Sequence, residues 1–133
     1  VDRVKIAKRL SDQRPLAMGP LNVCMQINID NEPTKSGFSV EQAVAAALEI
    51  LALPNLKLRG LMAIPAAQAS IDAQRIPFAK LRKLKDCINR SLDNSEKLDT
   101  LSMGMSSDLE AAILEQATIV RVGTDIFGPR DTK

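Results

Sequence analysis

Apolar positions along this chain recur with two alternating periods, one typical of helices and one typical of strands. Helical spacing predicts four helices, over 3–13, 40–51, about 76–90 and from Ser107 onward. Short apolar or β-branched runs predict four strands, over 21–29, 56–64, 98–103 and 119–122. Because helices of this length alternate with strands, we expect a parallel α/β sheet with right-handed crossovers.

Four strands and four helices are half of an eight-stranded (β/α)8 barrel of TIM type. A full barrel takes about 250 residues, whereas this sequence has 133. We therefore expect residues 1–133 to form a single domain, the second, C-terminal half of such a barrel. The first half would be a separate chain or a segment outside this sequence. Two open strand edges and an uncovered core face favour association with that N-terminal half or self-association.

The fourth helix carries the most specific local pattern. Ser107 and Glu110 have the Ser-x-x-Glu spacing of a capping box, which predicts that the helix starts at Ser107. Leu109, Ala112 and Ile113 follow at helical spacing and are expected to form its apolar face.

The third helix has an apolar stripe and a basic face. Pro77 is compatible with its first turn, while the stretch before it, 66–75, is ambiguous. The basic residues are interpreted as a solvated face rather than a binding patch. They are Lys80, Arg82, Lys83 and Lys85.

Composition excludes several classes of partner. The chain is 45% hydrophobic and 26% charged with a net charge of +2, so no global electrostatic attraction to nucleic acid or anionic membrane is expected. Aromatic residues make up only 2%, which leaves no platform for stacking bases. The sequence has no apolar run of transmembrane length, and its first residues do not resemble a signal peptide.

The sequence contains no histidine, which removes His-based metal sites and Ser-His or Cys-His nucleophiles. Two cysteines remain, Cys24 in a strand-like run and Cys87 in a helical run. Both are expected to be buried, reduced thiols, with a disulfide as the lesser alternative. A cytoplasmic location is expected.

Candidate binding residues cluster where the last two predicted strands end. Ser106, Gly123 and Thr124 supply hydroxyls and exposed backbone beside a helix start, which suits a phosphate after the seventh and eighth strands of a barrel. Arg121 lies inside a strand buried on both faces, where a guanidinium is costly without a partner. From the residues alone, Arg121 is either functional or a structural ion-pair partner.

Five segments resemble the pyridoxal-phosphate homeostasis protein family, in the family's order. They are Val-Cys-Met-Gln-Ile-Asn-Ile (23–29), Thr-Lys-Ser-Gly-Phe (34–38), Leu-Arg-Gly-Leu-Met-Ala-Ile-Pro (58–65), Leu-Ser-Met-Gly-Met-Ser-Ser-Asp-Leu-Glu-Ala-Ala-Ile (101–113) and Val-Arg-Val-Gly-Thr-Asp-Ile-Phe-Gly-Pro-Arg (120–130). The resemblance covers nearly the whole chain. It implies a barrel of the alanine-racemase type that binds pyridoxal 5'-phosphate (PLP) without established turnover.

The resemblance also assigns roles to the candidate residues. Ser106, Gly123 and Thr124 match the family's phosphate-binding positions, and Arg121 matches the residue facing the pyridine nitrogen. The family's Schiff-base lysine is expected in the missing N-terminal half. Lys35 lies on the mouth side of the barrel, but the favoured interpretation is a solvated loop lysine without a covalent role.

Two classes of function follow. The first is a non-catalytic protein that buffers PLP or delivers it to PLP-accepting apoenzymes. The alternative is a PLP-dependent amino-acid racemase of the alanine-racemase type, which needs a second acid/base group, commonly a tyrosine from a partner subunit. The sequence contains no tyrosine, so the first class is preferred. A third, weaker alternative is a barrel fragment that binds another phosphorylated ligand.

Overall fold

The computed structural model describes residues 1–132 and alternates helices with strands as expected. The elements are α1 (Val4–Gln13), a 3-10 helix (Leu16–Met18), β1 (Leu21–Gln26), α2 (Val40–Leu51), β2 (Leu56–Met62), α3 (Ile71–Asn89), β3 (Thr100–Ser102), α4 (Leu109–Leu114) and α5 (Thr124–Phe127). In this part of the chain, none of the helices combines the length and apolar character needed to cross a bilayer.

The three strands form one parallel sheet in the order β1-β2-β3. Its outer side packs on the helices through a continuous apolar core. The largest fully buried core side chains are Met25, Ile50, Leu61, Phe78, Leu81, Ile88, Leu101 and Met103. Gly60 makes the close approach of β2 to β3 feasible, since a Cβ there would lie 1.8 Å from the Thr100 carbonyl oxygen.

The fourth predicted strand, 119–122, is wrong as a regular strand. Only Ile119 pairs in parallel, with Ser102, and the Met103 N–H donates to the Ile119 carbonyl at 3.0 Å. Gly104 then turns the chain at φ +101°, and Arg121 N–H donates to the Gly104 carbonyl at 2.9 Å. In a regular parallel ladder the Arg121 N–H would donate to the Met103 carbonyl instead. The turn at Gly104 therefore ends the pairing of the two segments.

Helix α3 begins earlier than predicted. Ser70 caps it by accepting a hydrogen bond from the Ala73 N–H at 3.1 Å, so Pro77 lies in the second turn rather than the first. The proline leaves the Ala73 carbonyl without its intrahelical donor. Downstream of this defect the helix is held by its predicted apolar stripe, which is buried and comprises Phe78, Leu81, Leu84 and Ile88.

The predicted cap and apolar face of α4 are both wrong in detail. The helix begins at Leu109, directly after Asp108. The Asp108 carboxylate accepts the Met105 N–H at 2.7 Å and closes a turn that precedes the helix. Ile113 is 56% exposed, whereas Ala111 and Ala112 are buried. Close packing sets this orientation, because a Cβ on Gly104 would lie only 2.7 Å from the Ala112 Cβ.

Three expectations about side chains on the outer elements need correction. Both cysteines are free, but Cys24 is half-buried and Cys87 is exposed. Desolvation raises the pKa of the Cys24 thiol. Arg82 does not belong to a solvated face, because it pairs with the buried Glu115 of the adjacent α4 end. Lys80 also makes a contact, donating to the Ile29 carbonyl at 3.2 Å.

Candidate functional site

Ser106 and Gly123 meet at the carboxyl end of the sheet. The Ser106 Oγ accepts hydrogen bonds from the Gly123 and Asp125 N–H groups, each at 3.3 Å. This contact joins the turn after β3 to the first turn of α5, which follows the Ile119 bridge. The structure therefore brings together Ser106, Gly123 and Thr124 although 17 residues separate the first two.

These residues line an open pocket of about 660 Å³. Its wall consists of two segments, the turn after β3 and the stretch through α5 and beyond. The lining residues are Met105, Ser106, Ser107, Gly123, Thr124, Phe127, Gly128, Pro129 and Arg130. The pocket combines hydroxyls, backbone, one aromatic ring and one guanidinium, and the donors of this set can hold an anionic group.

Of the two adjacent serines, Ser106 lines the pocket as expected, whereas the predicted helix cap at Ser107 is wrong. Ser107 is exposed, and its hydroxyl makes no hydrogen bond within residues 1–132, so it caps no helix. Ser106 is half-buried and uses its lone pairs to accept two amides. A hydroxyl that accepts in this way still has its own proton to donate, so Ser106 can also act as a hydrogen-bond donor at the pocket that it lines.

Gly123 leaves the pocket open at the start of α5. A Cβ built on Gly123 would meet no heavy atom of residues 1–132 within 4 Å. Thr124 is the first residue of α5, and an amide at that position has no intrahelical acceptor. The protein itself therefore does not require glycine at 123 for packing, and a side chain there would project into free space.

Arg121 reaches across the ends of two strands. Its Nη2 donates to the Ala63 carbonyl at 3.2 Å and to the Ser102 carbonyl at 3.4 Å. No carboxylate in residues 1–132 forms a salt bridge with Arg121, and its buried Nε has no hydrogen-bond partner there. Since Arg121 has no acidic partner in this part of the chain, the alternative of a structural ion pair loses its basis there.

Lys35 is an exposed loop residue whose ammonium group makes two contacts within the protein. Its Nζ lies 3.0 Å from the Glu32 carboxylate and donates to the Ile64 carbonyl at 3.3 Å. The loop that carries it is organised by Asn28, whose side-chain amide donates to the Glu32 carbonyl at 2.7 Å. Lys35 is thus an exposed loop residue as expected, and the sequence did not predict these two contacts.

Two residues around the pocket were not singled out in the sequence. Gln74 of α3 donates through Nε2 to the Ser107 carbonyl at 3.3 Å and supports the turn that carries Ser106. It lies in a stretch whose pattern was ambiguous. Arg130 lines the pocket itself, and the only sequence signal was its place at the end of the segment 120–130.

Sequence comparison relates the chain to proteins of known family. The alanine racemase, N-terminal domain model matches residues 1–131. The pyridoxal phosphate homeostasis protein of Pseudomonas aeruginosa is 56% identical over 131 residues, which are 98% of this chain and 54% of that protein. The protein of the same name from Escherichia coli K12 is 46% identical and is covered to 55%. The chain thus spans about half the length of the curated relatives that it matches.

Comparison with solved structures agrees with the family match of the sequence. PipY of Synechococcus elongatus, solved with PLP bound, gives a TM-score of 0.83 at 30% identity over 96% of this chain and 58% of that chain. Alanine racemase of Corynebacterium glutamicum gives 0.65 at 17% identity, covering 95% and 34%, and that likeness concerns the fold alone. These findings confirm a parallel α/β fold of the alanine-racemase barrel type and the resemblance carried by the sequence motifs.

Proposed function

Because the chain belongs to the alanine racemase N-terminal domain family, we propose that it is part of a protein that binds PLP and buffers or delivers this cofactor without turnover. Its relatives at 46–56% identity are named pyridoxal phosphate homeostasis proteins, and PipY was solved with PLP bound. The two free cysteines fit a reducing compartment, in keeping with a cytoplasmic location.

The observation that carries this proposal is the contact of Ser106 with the Gly123 amide. It gathers a hydroxyl donor, the Thr124 amide and open space above Gly123 in one pocket. In our proposal these three residues hold the phosphate group. Hydrogen bonds to a charged phosphate are shorter and stronger than those to a neutral group, so few donors suffice to orient it.

The second support is the unpartnered Nε of Arg121. A buried N–H donor without an acceptor is costly, so we propose that the half-buried guanidinium turns a donor toward the neutral pyridine nitrogen of PLP, which is an acceptor. When bound, PLP supplies an aldehyde that captures amines and a ring that can withdraw electrons. Because an arginine offers only donors, Arg121 disfavours protonation of the ring nitrogen and thereby weakens that withdrawal. This suits a carrier better than a transaminase.

We further propose that residues 1–133 form the C-terminal half of a PLP-binding (β/α)8 barrel. The contacts of Val1 support a position for a further strand beside β1. The Val1 amino group donates to the Cys24 carbonyl, and the Val1 carbonyl accepts the Gln26 N–H, both at 2.8 Å. This is the hydrogen-bond pattern of a parallel pair. Partners of this half would be the N-terminal half, a second copy, or apoenzymes that accept PLP.

Titration of the 133-residue chain with PLP, followed by absorbance and by native mass spectrometry before and after borohydride reduction, tests the proposal. We expect non-covalent retention of PLP without a single stoichiometric lysine adduct. Assays with L- and D-alanine should give no racemisation above background. Absence of PLP binding contradicts the proposal that Ser106, Gly123 and Thr124 of this chain hold the phosphate group without the covalent lysine, and alanine racemisation favours the racemase alternative. A single stoichiometric adduct on Lys35 contradicts the expectation that the covalent lysine lies outside this chain.

A further inference from the structure

The residues that follow α5 continue the wall of the pocket. Helix α5 ends at Phe127, and Gly128 follows with φ +77°, a conformation that favours glycine. The Gly128 N–H donates to the Thr124 carbonyl at 2.9 Å and closes the helix. Pro129 then fixes the next backbone torsion. As a result Arg130 lines the same pocket as Ser106 and Gly123.

Among residues 1–132, Arg130 is the one charged residue that lines this pocket. Within residues 1–132 it forms no salt bridge and no side-chain hydrogen bond, so its guanidinium is not neutralised there. The carboxylates nearest in sequence, Asp125 and Asp131, do not line the pocket. The electrostatic character of the pocket is therefore cationic, whereas the other donors facing it are neutral hydroxyls and amides.

We propose that Arg130 contacts the phosphate group of PLP and sets the preference of the site for phosphorylated over non-phosphorylated pyridoxal. This inference rests on the proposed function. Hydroxyls and amides can orient a phosphate, but they also bind water and neutral ligand groups. A guanidinium matches a phosphate with paired donors and a full charge, so it adds affinity only when the phosphate is present.

The test compares binding of PLP and of pyridoxal to the 133-residue chain and to Arg130→Ala and Arg130→Lys. Arg90→Ala is the matched control, because Arg90 is the C-cap of α3 and does not line the pocket. We expect Arg130→Ala to weaken PLP binding about tenfold, since one charge-assisted hydrogen bond is lost, and to leave pyridoxal binding unchanged. Arg130→Lys should recover part of the loss.

The salt dependence of PLP affinity is a second measurement, and a merely structural role of Arg130 would not change it. Between low and physiological salt, PLP affinity of the unmodified chain should fall more steeply than that of Arg130→Ala, because screening acts on the exposed charge. Equal PLP affinity and equal preference over pyridoxal in Arg130→Ala would overturn this inference while leaving the proposed function intact. Failure of the unmodified chain to bind PLP would overturn both this inference and the proposal that Ser106, Gly123 and Thr124 hold the phosphate group.

Discussion

The guanidinium of Arg82 lies 3.1 Å from one carboxylate oxygen of Glu115, and Arg75 lies 2.9 Å from the other. The Glu115 side chain is only 8% exposed. Burial by itself would raise the pKa of Glu115, but hydrogen bonds and charge from the two arginines outweigh it and hold the pKa below its ordinary value. The pair of contacts joins the end of α4 to α3.

Replacing Glu115 by glutamine should destabilise the chain by about 1–3 kcal/mol at pH 7, because two guanidiniums lose their anionic partner. A depressed folded-state pKa gives stability that is present above the unfolded value and is lost as pH falls through the folded value. The difference between the two proteins should therefore shrink below the ordinary glutamate range. Urea unfolding at pH 7 and pH 3 measures it.

Glu110→Gln is the control for this comparison, since Glu110 is an exposed residue of the same helix. It should change the free energy of unfolding by less than about 0.5 kcal/mol. A Glu115→Gln chain as stable as the unmodified one at pH 7 would show that the arginine contacts do not hold the two helices together.

The contact between Arg82 and Glu115 also illustrates what the sequence could not predict. Alternating periodicity predicted the order of helices and strands, because burial of apolar faces repeats along each element. The same periodicity predicted that Arg82 lies on a solvated face. The prediction was wrong because the pattern within one helix does not show which other helix packs beside it. The partner comes from α4, 33 positions away, and only the packed structure brings it close.

The same limit applies to the candidate site. Juxtaposition of Ser106 with Gly123 followed from the rule that parallel strand ends share one edge. The preference for Ser106 over Ser107 as the binding residue also came from the sequence. The helix cap assigned to Ser107 was wrong, because Asp108 and Met105 close a turn there instead. Several neighbouring residues could cap the helix according to the sequence pattern, and a single competing hydrogen bond decides where the helix starts.

A pH prediction concerns the exposed ion pair at the other end of the sheet. Asp99 Oδ2 lies 2.7 Å from Arg59 Nη2, and Thr100 donates to the same carboxylate at 2.8 Å. The hydrogen bond from Arg59 is the main cause that lowers the pKa of Asp99 to about 2. Carboxyl NMR titration should show this, and Arg59→Ala should return the pKa toward the ordinary aspartate value.

Because the Asp99 pKa is lowered, its contribution to stability is present above the unfolded value near 4 and is lost as pH falls toward about 2. Lys57→Ala serves as the control. It removes a cation of the same strand that forms no salt bridge in the described part of the chain. If Lys57→Ala moves the Asp99 pKa as much as Arg59→Ala does, general charge rather than the direct contact is responsible.

Arg121→Glu should impair PLP binding more than folding. The variant loses the donors to the Ala63 and Ser102 carbonyls, which costs about 1 kcal/mol of stability. It also places a carboxylate opposite the ring nitrogen, so either PLP retention falls or the ring nitrogen takes up a proton and the absorbance of bound PLP changes. Thermal unfolding with and without PLP separates the two effects. Collapse of the PLP-free variant, with unchanged affinity in the protein that survives, would instead assign Arg121 a structural role.

Ser106→Ala and Gly123→Val should separate hydrogen bonding from access to the phosphate pocket. Ser106→Ala removes one donor to a ligand and should weaken PLP binding by about 0.5–1.5 kcal/mol, the range for one hydrogen bond. Gly123→Val should weaken binding by more than about tenfold, because the free space above Gly123 is where the side chain would project. Valine is a poor helix N-cap, so the variant should lose only about 1 kcal/mol of stability. Calorimetric titration with PLP, paired with thermal unfolding without it, measures both quantities. If Gly123→Val binds PLP as tightly as the unmodified chain, the ligand does not occupy the space beside Ser106, and the assignment of Ser106, Gly123 and Thr124 fails.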